Sequence, residues 1–247
     1  VCSNRITKPC VAVSVAEQVT EVEQRSFIEA VISAGARRVT LVPETVAAAI
    51  GAGLDIKSPV GSMAVNIGGG VSDIAVMSMG GVVTSDSIPV GGDKFDEAIL
   101  SYVRRRYNIL IGERTAEDIK IRIGDVYEHK KPAYMKVTGR SLTEGTPKEV
   151  LISSKEMIEA LYEPITAILD SICLVIEQTP PELVGDIAQN GITLTGGGSQ
   201  IYGMDLLLYE RTGVRCTVAD DAASCVAYGC GKSLSWINQM TEGPINV

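Results

Sequence analysis

The chain has 247 residues, enough to bury a substantial core in one large domain or two closely packed ones. Its 22 basic and 30 acidic side chains leave a net charge of -8, which argues against binding along a nucleic-acid backbone. Six cysteines without paired spacing exclude a disulfide framework and a zinc site, and a single histidine, His129, excludes a histidine-based triad or metal cluster.

The opening Val1-Cys2-Ser3-Asn4 leads almost directly into an apolar strand and reads as the cut edge of a longer sequence. The first strand covers 10–14. Thr20 and Glu23 then form a capping box before a helix that stops near Ala34-Gly35, and a second strand runs over 39–42. Strand, helix, strand predicts a parallel pair. Glu44 precedes Thr45-Val46-Ala47-Ala48-Ala49-Ile50-Gly51, whose small residues let a helix approach a sheet closely; on its own, Glu44 reads as an acid matching the dipole at the helix N-terminus.

From Met63 the rhythm changes. Ala64-Val65-Asn66-Ile67, the triplet Gly68-Gly69-Gly70, a strand over 74–79, the turn Gly80-Gly81 and a strand over 82–88 predict a three-stranded meander. After Gly91-Gly92-Asp93 a helix carries Phe95, Ile99, Tyr102 and Val103 on one face. The charged stretch 110–147 predicts a small inserted subdomain, with a short helix over 115–123 and strands near Tyr134 and Leu151. His129 there reads as a solvated loop residue.

Ser153 and Glu156 make a second capping box, opening one long helix that Pro180-Pro181 terminates. A strand over 192–195 then ends in Gly196-Gly197-Gly198, followed by a helix to Gly213, a strand over 215–218 and a final helix through Trp236. No apolar run approaches the roughly 20 residues that cross a bilayer and no signal peptide opens the chain, which predicts a cytoplasmic protein.

Strands that end in consecutive glycines leave peptide N–H groups unobstructed, so an anion, most often phosphate, can reach them. One triplet is equally a tight turn; two at equivalent strand ends favour the phosphate reading. A Rossmann fingerprint is excluded because Gly70 leads into a strand, and a Walker A loop because Val226 stands where Gly231-Lys232-Ser233 would need a glycine. Glu117 and Lys120 lie one helical turn apart, either as a surface ion pair or as acceptor and cation for a ribose and adenine.

Five segments, Val65-Asn66-Ile67-Gly68-Gly69-Gly70, Val90-Gly91-Gly92-Asp93, Ile111-Gly112-Glu113-Arg114-Thr115-Ala116-Glu117-Asp118-Ile119-Lys120, Gln178-Thr179-Pro180-Pro181-Glu182-Leu183 and Leu194-Thr195-Gly196-Gly197-Gly198, resemble in their order the bacterial actin homologues of the MreB rod-shape family. The resemblance runs from about Lys8 to Lys232. It implies an actin-like ATPase fold of the ribonuclease H-like, actin/Hsp70 superfamily, with mixed sheets flanked by helices and a truncated N-terminus. It further implies residues 1–53 as the remnant of a first lobe, 54–108 and 153–230 as the core of a second, 109–152 as the inserted subdomain, and 231–247 as a helix and tail returning to the first lobe.

The same resemblance implies ATP with Mg2+ between the lobes. Gly68, Gly69 and Gly70 would be a phosphate loop, joined by Gly92 and Asp93; Glu117 and Lys120 would line the ribose and adenine pocket; Gly196, Gly197 and Gly198 would lie under the base. Glu44 matches the family's catalytic glutamate. The implied partners are further copies in a filament, the inner membrane surface and the cell-wall synthesis machinery.

Several positions depart from the family's pattern. Asn66 stands where an aspartate holds magnesium and its water, and an amide is a poorer ligand for a hard cation, so weak nucleotide binding and impaired hydrolysis are expected. Thr45 replaces a proline, Val71-Ser72-Asp73 replaces Thr-Thr-Glu, and Ile6-Thr7 weakens an apolar pair that dips into membranes. The first phosphate loop has no counterpart. A non-catalytic scaffold is the alternative reading; an Hsp70-type chaperone lobe is disfavoured by the Glu113-to-Glu117 segment.

Overall fold

The computed structural model describes residues 8–16, 19–128 and 131–240. His129, the Ile6-Thr7 pair and residues 241–247 of the expected tail lie outside them. Strand β1 (Cys10–Val15), helix α1 (Glu21–Ser33) and strand β2 (Arg38–Pro43) form the expected β-α-β unit, with Cys10 opposite Arg38 in a parallel pair. The Thr20–Glu23 capping box starts α1: the Thr20 N–H donates to the Glu23 carboxylate at 2.9 Å.

Helix α2 (Glu44–Ala52) follows at once, and the meander is β3 (Ser62–Ile67), β4 (Ser72–Ser78) and β5 (Gly81–Ile88), all antiparallel. Next come α3 (Gly92–Tyr107), β6 (Ile109–Leu110), α4 (Glu113–Ile123), β7 (Tyr134–Ser141) and β8 (Pro147–Ser153). The last three strands named make a separate sheet in the order β6-β7-β8. β6, only two residues long, carries no periodicity that a sequence reading could register.

The long helix expected after Ser153 is two: α5 (Ser154–Ala160) and α6 (Tyr162–Gln178). Pro164 explains the break, since it has no N–H to donate to the Ala160 carbonyl and its ring crowds that oxygen, so the chain resets at Leu161. A further helix, α7 (Pro181–Asn190), fills a stretch to which no element was assigned; proline at its first turn, Glu182 beside it and Gly191 just past its end were the available signals. The chain closes with β9 (Ile192–Thr195), α8 (Met204–Thr212), β10 (Cys216–Val218) and α9 (Cys225–Met240).

The principal sheet has the order β10-β9-β3-β4-β5, so the parallel strand β9 returns to lie beside β3. Alternation along β3 sends its residues to two different cores. Met63, Val65 and Ile67 join Phe95, Ile99 and Ile172 on one face. Ala64, paired across the strands with Ala75, joins Ala49, Ile50 and Met77 on the other, where small side chains admit α2. Asn66 and Asp73, the next pair along the same register, therefore point toward α2 as well.

α9 packs against α2 through glycine. A Cβ on Gly229 would collide with the Ala47 carbonyl, and one on Gly51 with the Cys225 carbonyl. Lys232 Nζ donates to the Ile50 carbonyl at 3.2 Å. Among the described residues no helix is long and apolar enough to cross a membrane.

Candidate functional site

The pairing of β3 with β9 sets the geometry. Asn66 lies opposite Thr195, so the two glycine triplets leave neighbouring parallel strands at the same end of the sheet. Gly196 has φ +82°, and a Cβ there would strike the Ile67 carbonyl; a Cβ on Gly198 would strike the Ile67 side chain. Bare backbone is thus what lets the second turn fold over the end of β3.

The first turn is fastened to the start of α3. Gly92 N–H donates to Gly68 O at 2.9 Å and Asp93 N–H to Gly69 O at 2.8 Å. Gly68 N–H closes the turn on Val71 O at 2.9 Å, while the peptide N–H groups of Gly69 and Gly70, both exposed, have no acceptor among the described residues. Two adjacent unobstructed donors are a site for an anion.

Both turns open onto one cleft of about 460 Å3. Of the residues singled out in the sequence, Gly68, Gly69, Gly92, Glu117, Lys120, Gly197 and Gly198 line it. Gly70 and Asp93 are beside each other, within 3.8 Å of where a Cβ on Gly70 would stand, and Gly196 lies beneath against Ile67; none of the three lines the cleft. A further part of the lining comes from Ile121, Gln200, Ile201 and Tyr202, which the sequence reading did not single out. It is held by Val126 N–H donating to Tyr202 O at 3.0 Å.

Lys120 departs from the surface ion-pair reading, because its partner is not Glu117. Its Nζ donates to Asp96 Oδ2 at 2.7 Å and to Gly92 O at 3.0 Å, tying α4 to the first turn of α3. Asp96 went unnoticed because the contact spans 24 residues and leaves no local pattern.

Glu44 and Asn66 do not line the cleft; they meet below it, on the α2 face of the sheet. Asn66 Nδ2 donates to Glu44 Oε1 at 3.2 Å, and its Oδ1 accepts from Thr195 Oγ1 at 3.2 Å. Burial, and then the Asp73 carboxylate, pushes the Glu44 carboxyl above its ordinary range, with the Asn66 bond opposing. Asp73 is also held above its ordinary range by burial, against the Ser87 hydroxyl that donates to it at 2.6 Å. Its Oδ2 is buried without a hydrogen-bond partner. The residues therefore fit a divalent cation poorly: both ends of the amide are engaged within the protein, burial makes both acids harder to ionise, and among the described residues no group of three or more His, Cys, Asp or Glu is arranged for a metal.

Asp73 yields a stability prediction. Its carboxyl holds a proton more tightly folded than unfolded, so the ionised form opposes folding at pH values above the folded-state pKa, and that penalty fades as pH falls to about 4. Asp73→Asn, which keeps the acceptor for Ser87, is expected to raise stability at pH 7 by about 1 kcal/mol and to have little effect at pH 4. Urea melts at the two pH values measure this; an increment independent of pH would contradict it.

Comparison with known proteins adds the following. The family model for MreB/Mbl protein matches residues 1–242. The cell shape-determining protein MreB of Escherichia coli K12 is 49% identical over 230 residues, covering 93% of this chain and 66% of the relative. The cell shape-determining protein Mbl of Bacillus subtilis 168 is 44% identical over 236 residues, covering 96% and 71%. The chain thus spans 66% of the length of the first of these relatives. The crystal structure of MreB5 of Spiroplasma citri bound to ADP superposes with a TM-score of 0.92 at 37% identity, covering 95% of this chain and 71% of that one. Its AMPPNP complex gives 0.92 at 36%, covering 97% and 73%. A MamK double helical filament gives a TM-score of 0.80 at 18% identity, covering 94% and 70%, a likeness of fold alone.

Proposed function

Since the chain belongs to the MreB/Mbl family and has the actin-like fold, we propose that it is a nucleotide-binding cell-shape protein that assembles with copies of itself into filaments. The filaments would lie at the inner face of the plasma membrane and organise cell-wall synthesis. One observation carries the nucleotide reading: two glycine turns from adjacent parallel strands face a single cleft, with the Gly69 and Gly70 N–H groups open to an anion.

In this reading the phosphates of ATP or ADP sit against Gly68, Gly69 and Gly70, near Gly92 and Asp93. The sugar rests by Glu117, and Gly196, Gly197 and Gly198 shape the floor under the base. Relatives solved with ADP and AMPPNP support the ligand class. Glu44 would orient the attacking water and take its proton, and the second role is open only to the ionised form, which burial disfavours. Asn66 brings no charge for the Mg2+ that accompanies the nucleotide, so binding is weak and depends little on the ion.

Calorimetric titration tests the reading. ADP is expected to bind with a Kd of about 10 μM or weaker, with Mg2+ changing that by less than about threefold, and Asn66→Asp is expected to enlarge the Mg2+ response to about tenfold. No heat with ADP at millimolar concentration would refute nucleotide binding. The double engagement of Asn66 by Glu44 and Thr195 also favours a second reading, a scaffold that keeps the fold without turnover. Turnover by the unaltered chain would exclude it.

A further inference from the structure

A second cleft, of about 950 Å3, opens where the C-terminal half of α3 meets α5 and residues 126–128. It shares no lining residue with the cleft of the glycine turns. Three tyrosines line it. Tyr102 is 4% exposed and its hydroxyl donates to Glu159 Oε2 at 3.4 Å; Tyr127 is half-buried; Tyr162, at the break between α5 and α6, is 70% exposed. The charges are unevenly matched, with the carboxylates Glu128, Glu156 and Glu159 set against the cations Arg106 and Lys155. Lys155 Nζ is paired with Glu128 at 3.1 Å. Burial opposes ionisation of Glu156, but the Tyr107 hydroxyl at 2.6 Å and the Ser153 N–H and hydroxyl at 2.8 Å, with Arg106 nearby, hold its carboxyl below the ordinary range. Arg106 thus stands by an ionised acid. Glu159 is the carboxylate left over: among the described residues it has no ion-pair partner and accepts only the long Tyr102 bond.

We propose that this cleft is a docking site for an arginine on an extended segment of a partner protein, its guanidinium stacking on the Tyr127 and Tyr162 rings and pairing with Glu159. A guanidinium is planar and weakly hydrated, so it lies against an aromatic face while offering two parallel N–H groups to a carboxylate. A lysine ammonium is compact and strongly hydrated, and gains less from the same walls. The net charge of -8 draws a basic segment toward the surface, and the excess carboxylate in the cleft gives it a place to stop. One open, exposed cleft of this kind suits a transient partner rather than a permanent one.

The probe is a fluorescein-labelled peptide of arginines spaced by glycine and serine, read by fluorescence anisotropy beside lysine, citrulline and glutamate versions, without nucleotide and at physiological salt. The arginine peptide is expected to bind with a Kd of about 0.1–1 mM, the lysine peptide about threefold more weakly, and the other two at least about tenfold more weakly. Glu159→Gln and Tyr162→Leu should each weaken the arginine peptide about fivefold, the second with no change of charge. Both side chains are exposed, so thermal melts should match the unaltered chain. Glu163→Gln removes the same charge from α6 outside this cleft, and should leave binding within about twofold. Equal losses in Glu163→Gln and Glu159→Gln would reduce the attraction to overall charge and overturn the proposal. A preference for the glutamate peptide would make Arg106 the anchor and overturn it too, as would no binding of the arginine peptide. Self-association of the chain that Tyr162→Leu abolishes would make the occupant a second copy, again contradicting a separate partner.

Discussion

Gly229→Ala is expected to destabilise the fold by about 3 kcal/mol, lowering the melting temperature by about 10 °C. The added methyl has nowhere to go, because the Ala47 carbonyl of α2 occupies the place of the new Cβ. The obstacle is backbone, so no rotamer change relieves it; the helices must separate, exposing buried Ala47, Ala48 and Ala49. The opposite approach, Gly51 against the Cys225 carbonyl, is equally tight, so the axis of α2 cannot tilt away from one contact without entering the other. Gly231 in the same helix is the control: a Cβ there meets nothing within 4 Å, and Gly231→Ala should be neutral or stabilising by up to about 1 kcal/mol through helix propensity. A Gly229→Ala chain that melts with the unaltered one would show that the helices are not packed as described.

The largest expected effect on ligand binding comes from Gly91→Ala. Gly91 has φ -160°, extended backbone open to any residue, so the cost is steric alone. Its Cβ would lie 2.5 Å from Gly69 O and 2.6 Å from Gly68 O. Those two oxygens accept from Asp93 and Gly92, so the methyl must push the glycine turn off the start of α3 and break both bonds. With the turn displaced, the Gly69 and Gly70 donors no longer converge, and affinity for ADP is expected to fall about 100-fold or more, with stability reduced by only about 1–2 kcal/mol. Gly112→Ala, with nothing within 4 Å of its Cβ, serves as the matched control. Calorimetry and thermal melts on the three chains separate loss of the site from loss of the fold; undiminished ADP binding by Gly91→Ala would place the phosphates elsewhere.

The sequence disclosed whatever short-range chemistry writes down. The Thr20–Glu23 and Ser153–Glu156 capping boxes, the meander between the Gly68 and Gly80 turns, and the strand before Gly196 all rest on neighbours within a few residues, and the structure has them. Pro164 was equally visible but falls inside an apolar helical pattern, so periodicity masked the break it causes. α7 was obscured by the Pro180-Pro181 pair, read as a stop when Pro181 is also the start of the next helix. The cleft was legible as a pair of glycine turns, because strand order follows from topology rules. Its other contacts were not: Asp96 with Lys120, and Tyr202 with Val126, join segments 24 and 76 residues apart, and only the folded chain brings them together.

α2 is fastened very differently on its two sides. Toward α9 it meets carbonyl groups through glycines, a contact with no compressible side chain in it. Toward the principal sheet it rests partly on Ala64 and Ala75, methyl groups too short to interlock with Ala49. Were α2, α9 and the β1–β2 pair to shift together against the principal sheet, the alanine face would be the plane of slip. The Glu44–Asn66 hydrogen bond crosses that plane, so such a displacement is registered first at the acid beneath the glycine turns.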